Sequence, residues 1–244
     1  MKNLLLIVLC SLLLTSMHLM GEDLEKQLEP FTWSYDITYN TGKTTYKGTG
    51  SYALAKIDKS AEKNKKNKKK SKRLNYPENA EYTFTASIET TSKTFSSTDT
   101  SWIIRDAAHY IVPLQRTQKF VILGFPRKKN YPLTPPTEGG YYDEISVVLF
   151  LQNQIKQYAK GKSKTKAWKV WLADRNKEES YRLIEDQIIT TSLGQLDCYV
   201  LMKEDKNNKR NFKVWLTKDD LYIAKVEQTD RKRKTLMEIN SNVL

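Results

Sequence analysis

Apolar and polar positions alternate along most of this chain. Trp33, Tyr35, Ile37 and Tyr39 share one phase of a two-residue period, and Ser34, Asp36, Thr38 and Asn40 share the other, which is the pattern of a half-buried strand. Thr41-Gly42-Lys43 reads as a turn and Tyr46 to Leu54 as the returning strand of a hairpin. Ala80 to Thr91 is rich in Thr, Tyr, Phe and Ile, residues that suit a pleated surface. Ser101 to Arg105, His109 to Pro113 and Thr117 to Phe125 continue the series, with Pro113 at an edge or strand end because proline has no N–H for a ladder.

The period changes once. Tyr131 to Gly140 holds three prolines and two glycines and predicts a loop. From 142 to 159, Ile145, Val148, Leu149, Gln152, Ile155 and Ala159 follow three-and-four spacing, and all but Gln152 are apolar, so one helix is expected there. Asp143 and Glu144 at its start and Lys156 and Lys160 at its end match the helix dipole, and Gly161 is a natural stop. Strands then resume at Ala167–Ala173, Glu179–Leu183, Gln187–Thr191, Leu196–Met202, Phe212–Thr217, Leu221–Thr229 and Leu236–Ile239. Many short strands at short intervals around one helix predict a mainly β fold: an antiparallel curved sheet or open β-barrel with one packed α-helix. No internal repeat or linker divides 22–244, so a single β-rich domain is expected.

The first residues differ in kind. Met1-Lys2-Asn3 is a short positive start, Leu4 to Leu14 is almost wholly apolar, and small and polar residues follow up to Gly21. That order is the order of a secretory signal, expected to span 1–21 and to deliver the domain to the periplasm. The alternative is an uncleaved anchor, but the apolar core is shorter than the ~20 residues a bilayer requires.

Charge is concentrated. Of a formal net charge of +13, the stretch from Lys56 to Arg73 supplies +8, with Asp58 and Glu62 its only acids. It has neither apolar periodicity nor an aromatic residue, so 56–75 is expected to be a disordered loop. Its core, Lys63, Lys65, Lys66, Lys68, Lys69, Lys70, Lys72 and Arg73, reads either as a solvated insertion or as a contact for an anionic membrane surface or acidic polysaccharide. Nucleic acid is a poor partner, because single-strand binders interleave basic and aromatic residues.

Candidate chemistry is sparse. The two histidines are His18 and His109 and the two cysteines Cys10 and Cys198, and one of each lies in the apolar leader. That leaves too few ligands for a zinc centre and no partner for a disulfide after cleavage. Cys198, in the run Leu196-Asp197-Cys198-Tyr199-Val200, reads as a small buried apolar residue. Asp143 and Ser146 read first as helix-start residues, and Asp219-Asp220 as a turn. No phosphate loop, nucleophile elbow or His-Glu-x-x-His motif occurs. No cofactor and no metal are expected.

The order of several segments is more telling. Trp33-Ser34-Tyr35-Asp36-Ile37-Thr38-Tyr39 follows the leader, and Tyr142-Asp143-Glu144-Ile145-Ser146 opens the helix. Thr191-Ser192-Leu193-Gly194-Gln195-Leu196-Asp197-Cys198-Tyr199, Val214-Trp215-Leu216-Thr217 and Ala224-Lys225-Val226-Glu227-Gln228-Thr229 close the chain. Together these resemble the exported bacterial family called domain of unknown function 3108. The lysine insertion departs from that family, as does Ala224, where the family often has proline. The resemblance implies a β-rich periplasmic or envelope protein of one curved sheet or open barrel, and it brings no established catalytic residues.

Aromatic residues supply the remaining candidates. Trp33, Tyr35, Tyr39, Trp168, Trp171 and Trp215 would form either a solid core or the lining of an apolar pocket. The functional expectation is an exported, non-enzymatic protein that binds or shuttles a lipid or glycolipid. The alternatives are a scaffold docking a protein partner in envelope assembly, and a hydrolase working through carboxylates such as Asp143.

Overall fold

A computed structural model describes residues 28–59, 77–106, 110–204, 210–230 and 233–243. The expected signal segment, the lysine and arginine candidates from Lys63 to Arg73, and His109 lie outside the described residues.

The first half of the chain is an antiparallel meander: β1 (Phe31–Asn40), β2 (Thr45–Lys56), β3 (Tyr82–Thr90), β4 (Phe95–Asp106), β5 (Tyr110–Ile122) and β6 (Phe125–Tyr131). A short strand β7 (Tyr141–Tyr142) leads into helix α1 (Val147–Ala159). A second meander follows: β8 (Ala167–Leu172), β9 (Lys177–Thr191), β10 (Gly194–Glu204), β11 (Arg210–Thr217), β12 (Ile223–Asp230) and β13 (Arg233–Val243). All thirteen strands form one sheet in the order β6-β5-β4-β3-β2-β1-β13-β12-β11-β10-β9-β8-β7. The two meanders are therefore joined at the middle, where β1 pairs antiparallel with β13, Ile37 opposite Met237. The expected mainly β class, an open curved sheet with one helix, holds.

Several boundaries move for identifiable reasons. The helix expected over 142–159 begins at Val147, because Tyr142 pairs with Leu172 and accepts a hydrogen bond from the Ala173 N–H at 2.8 Å. Asp143 then organises the turn into α1: its Oδ1 accepts from the N–H groups of Ile145 (3.2 Å) and Ser146 (2.7 Å). These are turn bonds ahead of the helix; the N-cap residue itself is Ser146, which makes no side-chain capping bond, and the first turn of α1 holds no acid, contrary to the expected dipole match. Tyr110 to Pro113 and Thr117 to Ile122 belong to one strand, β5, bulged where Ile103 pairs with Pro113 and Trp102 with Gln115; the segment expected over Thr117–Phe125 turns at Leu123-Gly124, and Phe125 opens β6. The bulge is what admits a proline inside the ladder. A similar bulge at Val200/Leu201 merges the two segments expected in β9. β6 was not expected, since Phe-Pro-Arg-Lys-Lys-Asn-Tyr shows no apolar alternation. Leu221, expected in a strand, lies in the turn before β12 with φ +58°.

Curvature has local causes. A Cβ at Gly50 would sit 2.8 Å from the Ser87 carbonyl oxygen, so glycine lets β2 approach β3 where the sheet bends. Four bulged registers add further twist. The inner surface forms one hydrophobic cluster that includes Trp33, Tyr35, Phe84, Ile103, Trp168, Leu201, Leu216 and, from α1, Val147, Leu149, Leu151 and Ile155.

The two ends of this sheet meet at Arg116. Its side chain is 3% exposed, on β5. Nε and Nη2 donate to the two carboxylate oxygens of Asp99 on β4, at 2.9 and 2.5 Å. Nη1 donates to Asp174, in the β8–β9 turn, and to Glu144, ahead of α1, the latter at 3.2 Å. Ser101 Oγ on β4 donates to Asp143. The Thr134 N–H adds a backbone hydrogen bond to the Ala173 carbonyl at 2.9 Å. Removing one member of a buried ionic group strands the others without compensation. Arg116→Met is expected to lower the unfolding free energy by about 3–5 kcal/mol in urea titrations. Lys169→Met, in an exposed pair with Glu178, should cost under about 1 kcal/mol.

Candidate functional site

The inner face of β1 presents the strongest group of sequence candidates. Trp33 is 2% exposed and Tyr35 is fully buried. Phe31 stacks on Trp33 with centroids 3.8 Å apart, Tyr35 meets Tyr52 edge-on at 5.6 Å, and Tyr52 stacks on Phe84 at 5.8 Å. Tyr222 approaches Trp33 from the second meander at 6.4 Å. Burial raises the Tyr35 phenol well above its ordinary value and pushes Tyr52 up to about 12, so both stay neutral at any physiological pH.

Three of these interior rings carry polar atoms without a partner: Trp33 Nε1, Tyr35 Oη and Trp168 Nε1. Buried polar groups are nearly always hydrogen-bonded, so three on one lining is a departure from the rule. Trp168 is on β8 opposite Tyr181, in the second meander.

The other candidates are elsewhere. Tyr39 stacks with Tyr46 at the end of the first hairpin, centroids 6.2 Å apart. Trp171 is half-buried and donates from Nε1 to the Thr134 carbonyl at 2.8 Å, tying the loop after β6 to β8. Trp215 is buried, pairs across from Val200 and donates to Gln187 at 2.8 Å. The six aromatics therefore do not converge on one point: Trp33, Tyr35, Trp168 and Trp215 belong to the extended hydrophobic core, Tyr39 sits at the hairpin end, and Trp171 acts at the seam.

The seam itself holds the charged groups that sequence reasoning missed. Burial would lower the Arg116 guanidinium, but Asp99 and the charges of Asp174 and Asp143 hold it firmly protonated. Asp143 is fully buried and desolvation raises its carboxyl, offset in part by Ser101, Ser146 and Arg116. At Glu144, burial is outweighed by Arg175 and Arg116, which hold the carboxyl below the ordinary range. Asp99 falls in phase with the inward Ser97, Ser101 and Ile103, but Arg116 is out of phase with Ile111 and Pro113 and reaches the inner face only through the bulge that follows Pro113. What the spacing could not show is that they close onto Asp174. Asp143 is thus committed to backbone and hydroxyl hydrogen bonds that hold the start of α1.

Cys198 is fully buried, and burial pushes its thiol up to about 11, away from nucleophilic use. Glu179 is buried beside Lys177 and Lys203, which outweigh desolvation and lower its carboxyl. Among the described residues no group of three His, Cys, Asp or Glu side chains is placed to hold a metal ion.

No family model matches this chain, and no curated protein matches it. The resemblance to domain of unknown function 3108 is therefore without a matching model. Solved structures of similar chain path include a β-barrel-like protein of domain of unknown function 1849 from Brucella abortus, at 11% identity and TM-score 0.46, covering 88% of this chain and 97% of that one. A protein of the domain of unknown function 1329 family from Desulfovibrio piger is 8% identical with TM-score 0.34, covering 93% and 91%. A LolA superfamily protein from Nitrosomonas europaea is 8% identical with TM-score 0.29, covering 89% and 86%.

The lowered carboxyls set a pH dependence. Stability from Glu144 and Glu179 is present above the ordinary carboxylate range and is lost as pH falls through their folded-state values. The urea midpoint is expected to drop between about pH 6 and about pH 3. Glu179→Gln should flatten part of that slope, and an unchanged slope would refute the assignment.

Proposed function

We propose that this is a non-enzymatic, exported envelope protein that holds the apolar part of a lipid or glycolipid against the aromatic inner face of its sheet. One observation carries the reading: Trp33 Nε1, Tyr35 Oη and Trp168 Nε1 are buried donors with nothing to donate to. Each unpaired buried donor costs about 1–3 kcal/mol. An amphiphile's ester or phosphate oxygens would accept from them while its chains packed on the rings. Entry requires α1 to shift, since Val147, Leu149, Leu151 and Ile155 occupy the same cluster. Among its ties to the sheet, Gln152 Nε2 donates to the Leu221 carbonyl at 2.8 Å.

A second reading, a scaffold that docks a protein partner, draws support from the dense ring packing around Trp33 and Phe84. Native mass spectrometry of detergent-free protein followed by solvent extraction separates the two. A stoichiometric lipid or glycolipid supports the carrier; an apo mass at every preparation overturns it. Tyr35→Phe is a sharper probe. Removing an unpaired hydroxyl is expected to leave the urea midpoint unchanged or raised, while retention of the copurified amphiphile falls.

The lysine run from Lys63 to Arg73 extends the proposal as a tether to anionic head groups. Each basic residue at such a surface contributes about 1 kcal/mol. Deletion of that run is expected to weaken salt-sensitive membrane association in sedimentation assays, and unchanged association would remove the tether.

A further inference from the structure

The β5–β6 hairpin ends in Ile122-Leu123-Gly124-Phe125, with Ile122 and Phe125 paired across a two-residue turn. Leu123 and Phe125 are each 70% exposed and Ile122 is 44% exposed. Leu123 has φ +51° and Gly124 φ +84°. A two-residue turn with both φ values positive favours Asn or Gly at its first position, because a side chain such as leucine is strained there. The chain therefore holds a large apolar residue at a turn tip against local preference.

The strands below the tip break a second rule. Lys119 on β5 stands directly opposite Lys128 on β6, and like charges facing across a ladder are unfavourable. Arg127 and Lys129 are also exposed beside them. No Asp or Glu occurs between Asp106 and Glu138 to relieve this charge locally. Lys119 and Lys128 face a shallow groove of about 410 Å³, shared with Ser96, Thr98 and Pro126.

We propose that this hairpin tip is a membrane-docking wedge: Leu123 and Phe125 enter the interface of an anionic phospholipid surface, and Lys119, Arg127, Lys128 and Lys129 receive its head groups. Apolar side chains ringed by basic ones are the pattern by which interfacial elements bind anionic lipid. A protein strand is a poorer occupant of this edge. β6 ends the sheet, yet Pro126 has no N–H to offer and the Arg-Lys-Lys run opposes strand addition. The wedge is distinct from the lysine run, which leaves the sheet at the opposite end, between Lys56 of β2 and Tyr82 of β3. It does not rest on the interior holding a ligand, because an empty interior leaves the tip and its charges as they are.

The test uses the full chain with Leu123→Cys carrying an environment-sensitive fluorophore, in a Cys10→Ser background. Cys198 is fully buried and does not compete for the label. Ile188→Cys is the control, since Ile188 is 65% exposed but pairs with Asp197. Vesicles of equal parts phosphatidylglycerol and phosphatidylcholine are expected to blue-shift the probe at position 123 and not at 188. Phosphatidylcholine alone should give a much smaller shift at position 123, and NaCl at about 500 mM should reverse the anionic response. Leu123→Asn, measured by vesicle competition against the labelled chain, should weaken binding about tenfold or more while raising Tm. No shift at 123, or equal binding by Leu123→Asn, overturns the proposal. Binding to native envelope membranes that disappears on protease treatment, with none to pure vesicles, overturns it in favour of a protein partner.

Discussion

Arg116 fastens the two ends of this curved sheet to each other. Thirteen strands in linear order have two free ends, and most of their contacts are between neighbours. A bidentate bond to Asp99 fixes the guanidinium on β4 and β5, and its remaining N–H groups reach Asp174 and Glu144 from the far end. The planar fork of arginine suits this, because one rigid group can address carboxylates from three segments. Burying that charge is expensive, and the surrounding acids offset the expense only when all are in place. The ionic group thus couples the closure of the sheet to the position of the turn before α1.

The strand order at the centre of the sheet places the aromatic lining. The inner face of β1 to β4 packs in one cluster with α1 and the second meander, and Tyr222, directly before β12 and two strands from β1 in the sheet, lies beside Trp33. The rings pack well, but ring packing does not satisfy their polar atoms. Trp33, Tyr35 and Trp168 contribute apolar surface and keep an unanswered donor each. The proposed lipid-binding role rests on that mismatch between good apolar packing and poor polar satisfaction.

The β5–β6 tip departs from local preference at the surface of the molecule. Leu123 at a positive-φ turn position and Lys119 facing Lys128 both reduce stability, although the Leu123 N–H does donate to the Thr94 carbonyl at 2.8 Å. The first hairpin turn, by contrast, is set by a local bond, the Asn40 side chain accepting from the Gly42 N–H at 2.6 Å. An exposed apolar residue at a strained turn position and facing lysines beneath it are departures that an anionic apolar interface would relieve.

Much of this architecture is legible without coordinates. Period-two alternation placed Trp33, Tyr35 and Ile37 on the buried side, because a strand has two faces and only one meets the core. Three-and-four spacing and Gly161 located the helix and its end, since those signals are local to a few turns. Other features needed the folded chain. β6 is held by its ladder to β5 and buries little, so its sequence carries no apolar rhythm. The pairing of β1 with β13 joins residues some two hundred positions apart, and no local pattern encodes such a register. Arg116 and Asp174 are 58 positions apart, and their attraction exists only after the sheet has curved enough to exclude water from both. Alternation determined which side chains turn inward; closure of the sheet decided which of them meet.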